Sequence, residues 1–244
     1  MRLFGLIGYP LAQSFSKKYF DEKFGIEGLT DCRFQNFSIA SIEEFPKLLS
    51  ANSDLQGIAV TIPYKQAVLK YLDSTVDIPE GLQACNCIRI KDGKLSGYNT
   101  DHIGFEKSLL PLLKPHHQKA LILGNGGAAE AVIYSLKRLN IGYSIVSRKI
   151  HKGSSLTYAD INENIIKEHT LIINTTPLGM YPKTDEAPEI PYQFISNRHL
   201  LYDLVYNPKK TLFLQKGEER GAVIKNGFEM LVLQAEENWQ IWND

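Results

Sequence analysis

ALILGNGGAA, at residues 120–129, is the segment that says most about the fold. Its four leading apolar residues are typical of a buried strand, and a helical pattern runs from the glycines through Lys137. Gly124 allows a tight turn, Gly126 lets the backbone approach a pyrophosphate, and Ala129 permits close packing of the helix on the strand. The helix N-terminus then faces the phosphates. This order predicts a dinucleotide-binding unit, and the alternative is a tight turn that binds nothing.

The next strand indicates which dinucleotide would bind. YSIV at residues 143–146 ends in Ser147, Arg148 and Lys149. At this point of such folds, an acidic residue binds the ribose 2′-hydroxyl of NAD and a basic residue binds the 2′-phosphate of NADP. Arg148 offers a planar, charge-assisted fork to a phosphate, and Ser147 adds a neutral donor. The sequence therefore favours NADP, the alternative being a solvated basic loop.

Strand and helix patterns alternate along the whole chain, which predicts an α/β protein with mostly parallel sheets. Asp92-Gly93 predicts a two-residue hairpin, and the apolar spacing from Phe228 to Trp242 predicts a helix with one buried face. The predicted strands are residues 3–7, 33–39, 57–61, 87–90, 95–98, 120–123, 143–146, 171–174, 200–204 and 222–224.

A loop at residues 114–119 precedes the strand that leads into the glycine turn, and it predicts the opening of a second unit. We therefore expect a first α/β domain over residues 1–100. A Rossmann-type doubly wound domain is expected over residues 101–226.

The composition excludes several classes of protein. The chain has 244 residues, of which 43% are hydrophobic, and its 27 basic and 27 acidic residues cancel, so no global field attracts nucleic acid or an acidic membrane surface. No leader or membrane-spanning run is present, so a cytoplasmic protein is expected.

Cys32, Cys85 and Cys87 are too few and too poorly spaced for a metal site or a disulfide framework, and reduced thiols are expected. At i and i+2, Cys85 and Cys87 are expected to share one face of a strand.

Polar residues in the first half gather at predicted strand ends. Ser14 and Ser16 follow the first strand, where their hydroxyls can hold a carboxylate, although one of them also suits the N-cap of a helix beginning near Lys17. Lys65 follows the strand at residues 57–61, and Asp101 lies at the link into the second domain. An Asp beside a Lys in a cleft between two domains is a coupled pair that can move protons near neutral pH.

Colinear motifs along nearly the whole chain resemble the shikimate dehydrogenase family. They are GYPLAxSxS at 8–16, VTIPYK at 60–65, NTD at 99–101, GxGGA at 124–128, SRK at 147–149, NTTPLGM at 174–180, YDLVYNP at 202–208 and NGFEMLVLQ at 226–234. The resemblance implies that the first domain binds substrate, that the second binds NADP, and that a C-terminal helix over residues 227–244 returns to the first domain.

The resemblance also implies roles for individual residues. Lys65 and Asp101 would be catalytic, with Lys65 handling the proton of the reacting hydroxyl and Asp101 hydrogen-bonded to both. The substrate-binding residues would be Ser14, Ser16, Thr61, Asn86, Tyr206 and Gln234. The cofactor-binding residues would be Gly124, Asn125, Gly126, Gly127, Ala128, Ser147, Arg148, Lys149, Thr175, Leu204, Gly227 and Met230.

The activity so implied is the reversible NADPH-dependent reduction of 3-dehydroshikimate to shikimate, without a metal, nucleic acid or membrane partner, in a monomer or homodimer. Three alternatives stay open at this point. A relative that also accepts quinate or prefers NAD would differ only in small details of the pocket. A folate-type two-domain dehydrogenase is disfavoured by the paired serines. A nucleotide-binding regulator without catalysis is disfavoured because Lys65 and Asp101 are both present.

Overall fold

The computed structural model describes residues 1–11, 14–149 and 155–244, so Ala12 and Gln13 of the first motif lie outside the described residues. The chain forms two compact units. The first comprises Met1–Thr100 and Ala235–Asp244, and the second comprises Asp101–Gln234. The last helix is therefore shared, whereas the division read from the sequence assigned all of residues 227–244 to the first domain.

A five-stranded sheet forms the centre of the first unit, with strand order β2-β1-β3-β4-β5. The first three strands are parallel, and the last two pair antiparallel. The strands are β1 (Arg2–Gly8), β2 (Cys32–Ser38), β3 (Leu55–Val60), β4 (Cys87–Lys91) and β5 (Lys94–Tyr98), and the α-helices are α1 (Phe15–Ile26) and α2 (Phe45–Ala51).

The predicted hairpin joins β4 to β5. Lys91 pairs with Lys94, and the two residues between them have positive φ, 52° at Asp92 and 75° at Gly93. Two consecutive positive φ values match the right-handed twist of the strands, and Asp-Gly tolerates them at low cost. The hairpin prediction is confirmed.

Each face of the first sheet carries its own apolar core. Cys85 packs in the core that contains Phe45 and Ile58, whereas Cys87 packs in the core of the opposite face with the ring of Trp242. The expectation that the two cysteines share a strand face is wrong, because Cys85 precedes β4 and does not follow its alternation. All three cysteines are free thiols.

The second unit contains a six-stranded parallel sheet of order β11-β10-β9-β6-β7-β8. Counted from β6, this is the strand order of the Rossmann fold, with the reversal between β6 and β9. The Rossmann prediction is confirmed. The strands are β6 (Lys119–Leu123), β7 (Gly142–Ser147), β8 (Leu156–Thr157), β9 (Leu171–Asn174), β10 (Leu200–Asp203) and β11 (Val223–Lys225). The α-helices of this unit are α3 (Asp101–Leu109), α4 (Gly127–Arg138), α5 (Glu163–Glu168) and α6 (Leu212–Glu218), and α7 (Phe228–Asn243) is the helix that the two units share.

Every strand predicted from the sequence is present within about two residues of its predicted ends. The strand that the sequence did not predict is β8, because two residues are too few to show an alternating pattern. No helix in the described part of the chain is long and apolar enough to cross a membrane.

Two buried histidines at the amino-terminal edge of the second sheet should make its stability depend on pH. His117 precedes β6 and His169 precedes β9, and burial lowers the pKa of both imidazoles. Below the ordinary histidine pKa of 6.5, these histidines bind protons in the unfolded chain but stay neutral in the native unit. Their contribution to the free energy of unfolding is therefore fully present above this pH and decreases as the pH falls below it. Urea unfolding at pH 7.5 and 5.5 should show that His169→Gln loses less stability than the wild type over this interval. An equal loss in the variant would contradict the assignment.

Candidate functional site

A cavity of about 880 Å³ opens at the carboxyl edge of the second sheet, where α/β folds bind their ligands. Its lining combines the glycine turn after β6, the basic loop after β7 and the loop after β9. The lining residues are Gly124, Asn125, Gly126, Ser147, Arg148, Lys149, Tyr158, Thr175, Thr176, Pro177 and Leu178. Residues that the sequence assigned to the cofactor from three separate segments therefore face one space.

The glycine turn has the geometry that a dinucleotide requires. Gly124 has a φ of 110°, and a Cβ there would lie 2.7 Å from the hydroxyl of Thr175, so no other residue fits without displacement. Helix α4 begins at Gly127, with Gly126 as its N-cap. A Cβ on Gly126 or Gly127 would meet nothing within 4 Å, so the space in front of the helix N-terminus is open. A pyrophosphate can approach these backbone amides directly.

The basic loop lies on the other side of the cavity. Arg148 and Lys149 are exposed, whereas Ser147 is buried and its hydroxyl donates to the Lys149 carbonyl at 2.6 Å. This bond folds the loop back on itself just after β7. Both cationic side chains therefore begin at the rim of the cavity, where they can form charge-assisted hydrogen bonds with an anionic group of a ligand.

A buried carboxylate joins the loops after β9 and β10. Asp203 is 0% exposed, and it accepts hydrogen bonds from the Asn174 amide at 3.0 Å, the Val205 N–H at 3.0 Å and the Thr211 hydroxyl at 2.6 Å. The three hydrogen bonds lower the pKa of Asp203, but burial has the larger effect and raises it to about 6. The amide oxygen of Asn174 accepts in turn from Thr176, which lines the cavity. Asp203 thus fixes both loops.

Leu204 and Gly227, two predicted cofactor residues, are in close backbone contact in the second unit. A Cβ on Gly227 would overlap the carbonyl of Leu204, and the Gly227 N–H donates to the Val205 carbonyl at 3.2 Å. Neither residue lines the cavity described above, and neither do Gly127, Ala128 and Met230. Their contact with a cofactor stays a prediction.

Gly227→Ala should therefore destabilise the second unit. Because the clashing atoms belong to the backbone of Leu204 and cannot rotate away, we expect a loss of roughly 1 to 3 kcal/mol in unfolding free energy. Gly142→Ala is the matched control, since its Cβ would meet its nearest neighbour at an ordinary 3.6 Å. Denaturant midpoints of the two variants give the comparison, and equal midpoints would refute the clash.

Three further predicted residues lie in the second unit. Asp101 is the first residue of α3, where the helix dipole favours a carboxylate. Tyr206 follows β10, with its side chain 37% exposed. Gln234 lies in α7 and is buried, with 8% of its surface exposed. Its side-chain amide donates to the Leu231 carbonyl at 2.9 Å. Roles for these side chains in catalysis or substrate binding stay predictions.

In the first unit, Ser14 is the N-cap of α1. Its hydroxyl accepts from the Lys17 N–H at 3.1 Å and donates to the side-chain oxygen of Asn36 at 2.7 Å. The N-cap interpretation is therefore confirmed for Ser14, while Ser16 lies inside the first turn of the helix. Binding of a carboxylate by the two hydroxyls stays a prediction.

The strand ends after β1 and β3 are held together closely. The Tyr9 N–H donates to the Ile62 carbonyl at 3.1 Å, and a Cβ on Gly8 would lie 2.5 Å from the Thr61 methyl group. Lys65 follows in a turn and is partly buried. Its backbone carbonyl accepts from the Cys85 N–H at 2.8 Å. The backbone that carries Thr61 and Lys65 is thus anchored on both sides.

Asn86 belongs to a buried polar network. Its amide oxygen accepts from the Thr100 N–H at 2.6 Å, and its amide nitrogen donates to the Thr100 hydroxyl at 2.9 Å. That hydroxyl donates to Asn238 in α7 at 2.6 Å. These bonds orient the Asn86 side chain, whose contact with a substrate stays a prediction.

The sequence analysis missed several residues of these sites. They are Tyr158, Thr176, Pro177 and Leu178 of the cavity, the carboxylate Asp203, and the network partners Thr100 and Asn238. Thr100, Asp203 and the T-P-L segment lie within motifs identified in the sequence but were given no role there. Tyr158 and Asn238 carry no local signal, because their partners are distant in sequence.

Comparison with known proteins agrees with this architecture. A profile for the shikimate dehydrogenase substrate binding domain matches residues 6–88. The NADP-dependent shikimate dehydrogenase of Clostridium beijerinckii is 40% identical over 259 aligned residues, covering 100% of this chain and 93% of that protein.

Two solved structures have the same fold. Shikimate 5-dehydrogenase from Thermus thermophilus, in complex with NADP(H) and shikimate, has a TM-score of 0.87 at 26% identity, covering 99% of this chain and 93% of that one. The Listeria monocytogenes enzyme, in complex with shikimate and NAD, has a TM-score of 0.87 at 27% identity, covering 100% and 92%. The resemblance inferred from the motifs is confirmed, and this chain belongs to the shikimate dehydrogenase family.

Proposed function

We propose that this protein catalyses the reversible NADPH-dependent reduction of 3-dehydroshikimate to shikimate, with the first unit binding substrate and the second binding NADP. The observation that carries the proposal is the cavity at the carboxyl edge of the Rossmann sheet, with a glycine turn on one side and Arg148 and Lys149 on the other. Its relatives are named as NADP-dependent shikimate dehydrogenases. We further propose a cytoplasmic monomer or homodimer.

The residues of the cavity fit NADP. The open space in front of Gly126 and Gly127 would admit the pyrophosphate against the N-terminus of α4. Arg148 and Lys149 would neutralise the 2′-phosphate. A cavity of about 880 Å³ is ample for a nucleotide, whose sites usually measure hundreds of Å³.

The proton chemistry is assigned to Lys65 and Asp101. When bound, NADP accepts or supplies the hydride. Lys65 takes the proton of the substrate hydroxyl during oxidation and returns it during reduction. Asp101, at the N-terminus of α3, orients this hydroxyl. Ser14 and Ser16 bind the substrate carboxylate, and Thr61, Asn86, Tyr206 and Gln234 bind the rest of the ring.

Nicotinamide absorbance tests the proposal directly. Shikimate and quinate, each with NADP⁺ and with NAD⁺, give four pairs. Fast turnover with shikimate and NADP⁺ alone is the expected result. Activity with quinate or NAD⁺ would assign the chain to a dual-specificity branch. No turnover with any pair would refute the proposed activity and favour a nucleotide-binding protein without catalysis.

A further inference from the structure

Tyr158 stands next to Arg148 at the ligand-binding edge of the second sheet. Strands β7 and β8 are parallel neighbours, and Ser147 is paired in register with Thr157. The residues that follow this pair, Arg148 and Tyr158, therefore leave two adjacent strands at the same carboxyl end. Both line the cavity assigned to the cofactor.

The position of Tyr158 is fixed by its surroundings. It is the first residue of a 3₁₀ turn, Tyr158–Asp160, which Thr157 caps. The N–H and the hydroxyl of Thr157 both donate to the Asp160 carboxylate at 2.7 Å. The Tyr158 ring, partly buried, packs against the apolar core that contains Ile161. A side chain held in this way is preorganised for a ligand.

The chemistry of the Tyr158 hydroxyl suits an anion. Burial raises the pKa of this group, although the nearby Arg148 guanidinium lowers it, so the hydroxyl keeps its proton at neutral pH. It makes no hydrogen bond to another residue within the described ranges. A protonated phenol can donate to a phosphate oxygen and adds no repulsion, whereas a carboxylate at this point would repel it.

We propose that Tyr158 is a determinant of cofactor specificity, its hydroxyl donating a hydrogen bond to the 2′-phosphate of NADP beside Arg148 while its ring forms a wall of the adenosine site. The inference rests on the proposed function, and specifically on NADP as the cofactor. It assigns the discrimination between NADP and NAD to two adjacent strand ends.

Calorimetric titration with 2′,5′-ADP and with 5′-AMP tests the inference without substrate. Tyr158→Phe removes only the hydroxyl, so 2′,5′-ADP should bind about tenfold more weakly, as expected when a hydrogen bond to a charged group is lost, and 5′-AMP should be almost unaffected. Tyr192→Phe is the matched control. Tyr192 packs against the same core, and its hydroxyl donates to the Pro188 carbonyl at 2.8 Å outside the cavity lining.

The outcomes separate this inference from the proposed activity. Equal binding of 2′,5′-ADP by wild type and Tyr158→Phe would overturn the inference, and so would an equal loss for both nucleotides. Failure of the wild type to bind 2′,5′-ADP would overturn the inference together with the assignment of NADP. A wild type that binds 2′,5′-ADP but does not oxidise shikimate would overturn the proposed activity alone.

Discussion

Lys65→Met is expected to lower kcat for shikimate oxidation by about 10² to 10⁴-fold, the range typical of a lost general acid or base, with little change in KM. Methionine keeps most of the length and apolar contact of the lysine side chain but cannot accept or return a proton. If Lys65 acts only on the reacting hydroxyl, the variant loses an interaction of the transition state and retains the ground-state contacts of the substrate.

Steady-state kinetics with shikimate and NADP⁺ measure this effect, and Lys70→Met is the matched control. Lys70 lies in the same unit, in the 3₁₀ turn Ala67–Tyr71, and forms an exposed ion pair with Glu43 at 3.3 Å. Such pairs contribute little, so the control should keep wild-type kcat. A Lys65→Met enzyme with the kcat of this control would rule out the assignment of the proton to Lys65.

Asp203→Ala and Asp203→Asn should differ in stability by about 3 kcal/mol or more. Alanine leaves three buried donors, on Asn174, Val205 and Thr211, without their acceptor, and each such loss costs roughly 1 to 3 kcal/mol. Asparagine can accept from Asn174 and Val205 through its oxygen and donate to the Thr211 hydroxyl. Urea midpoints at pH 7 provide the measurement. Similar midpoints for the two variants would refute the stabilising role of the three hydrogen bonds to Asp203.

The pH dependence of the stability of Asp203→Asn gives a second measurement on the same buried carboxyl group. The native carboxyl has a pKa of about 6, raised by burial from its ordinary 3.8. Between these values the native state holds a proton that the unfolded chain has released, so stability from this group decreases as the pH rises from about 4 to 6. Relative to wild type, Asp203→Asn should therefore gain stability over this interval. A constant difference would contradict the raised pKa.

Local patterns and motifs were enough to predict the elements of the fold and the family. A buried strand, a glycine turn and a helix at residues 120–138 specify a Rossmann unit because each has a local requirement, such as the positive φ of Gly124. The Asp92-Gly93 hairpin is equally local. The basic residues Arg148 and Lys149 were recognisable because Rossmann folds bind the ribose of a dinucleotide at a fixed point, the end of the second strand.

Contacts between side chains that are distant in sequence could be seen only in the folded structure. Asp203 and Asn174 lie 29 positions apart and come together only because β9 and β10 are neighbours in the sheet. Tyr158 reaches the cavity only because a two-residue strand pairs with β7. Hydrophobic periodicity predicts helices and strands from nearby residues. Partners of buried polar groups depend on strand order, which no local pattern encodes.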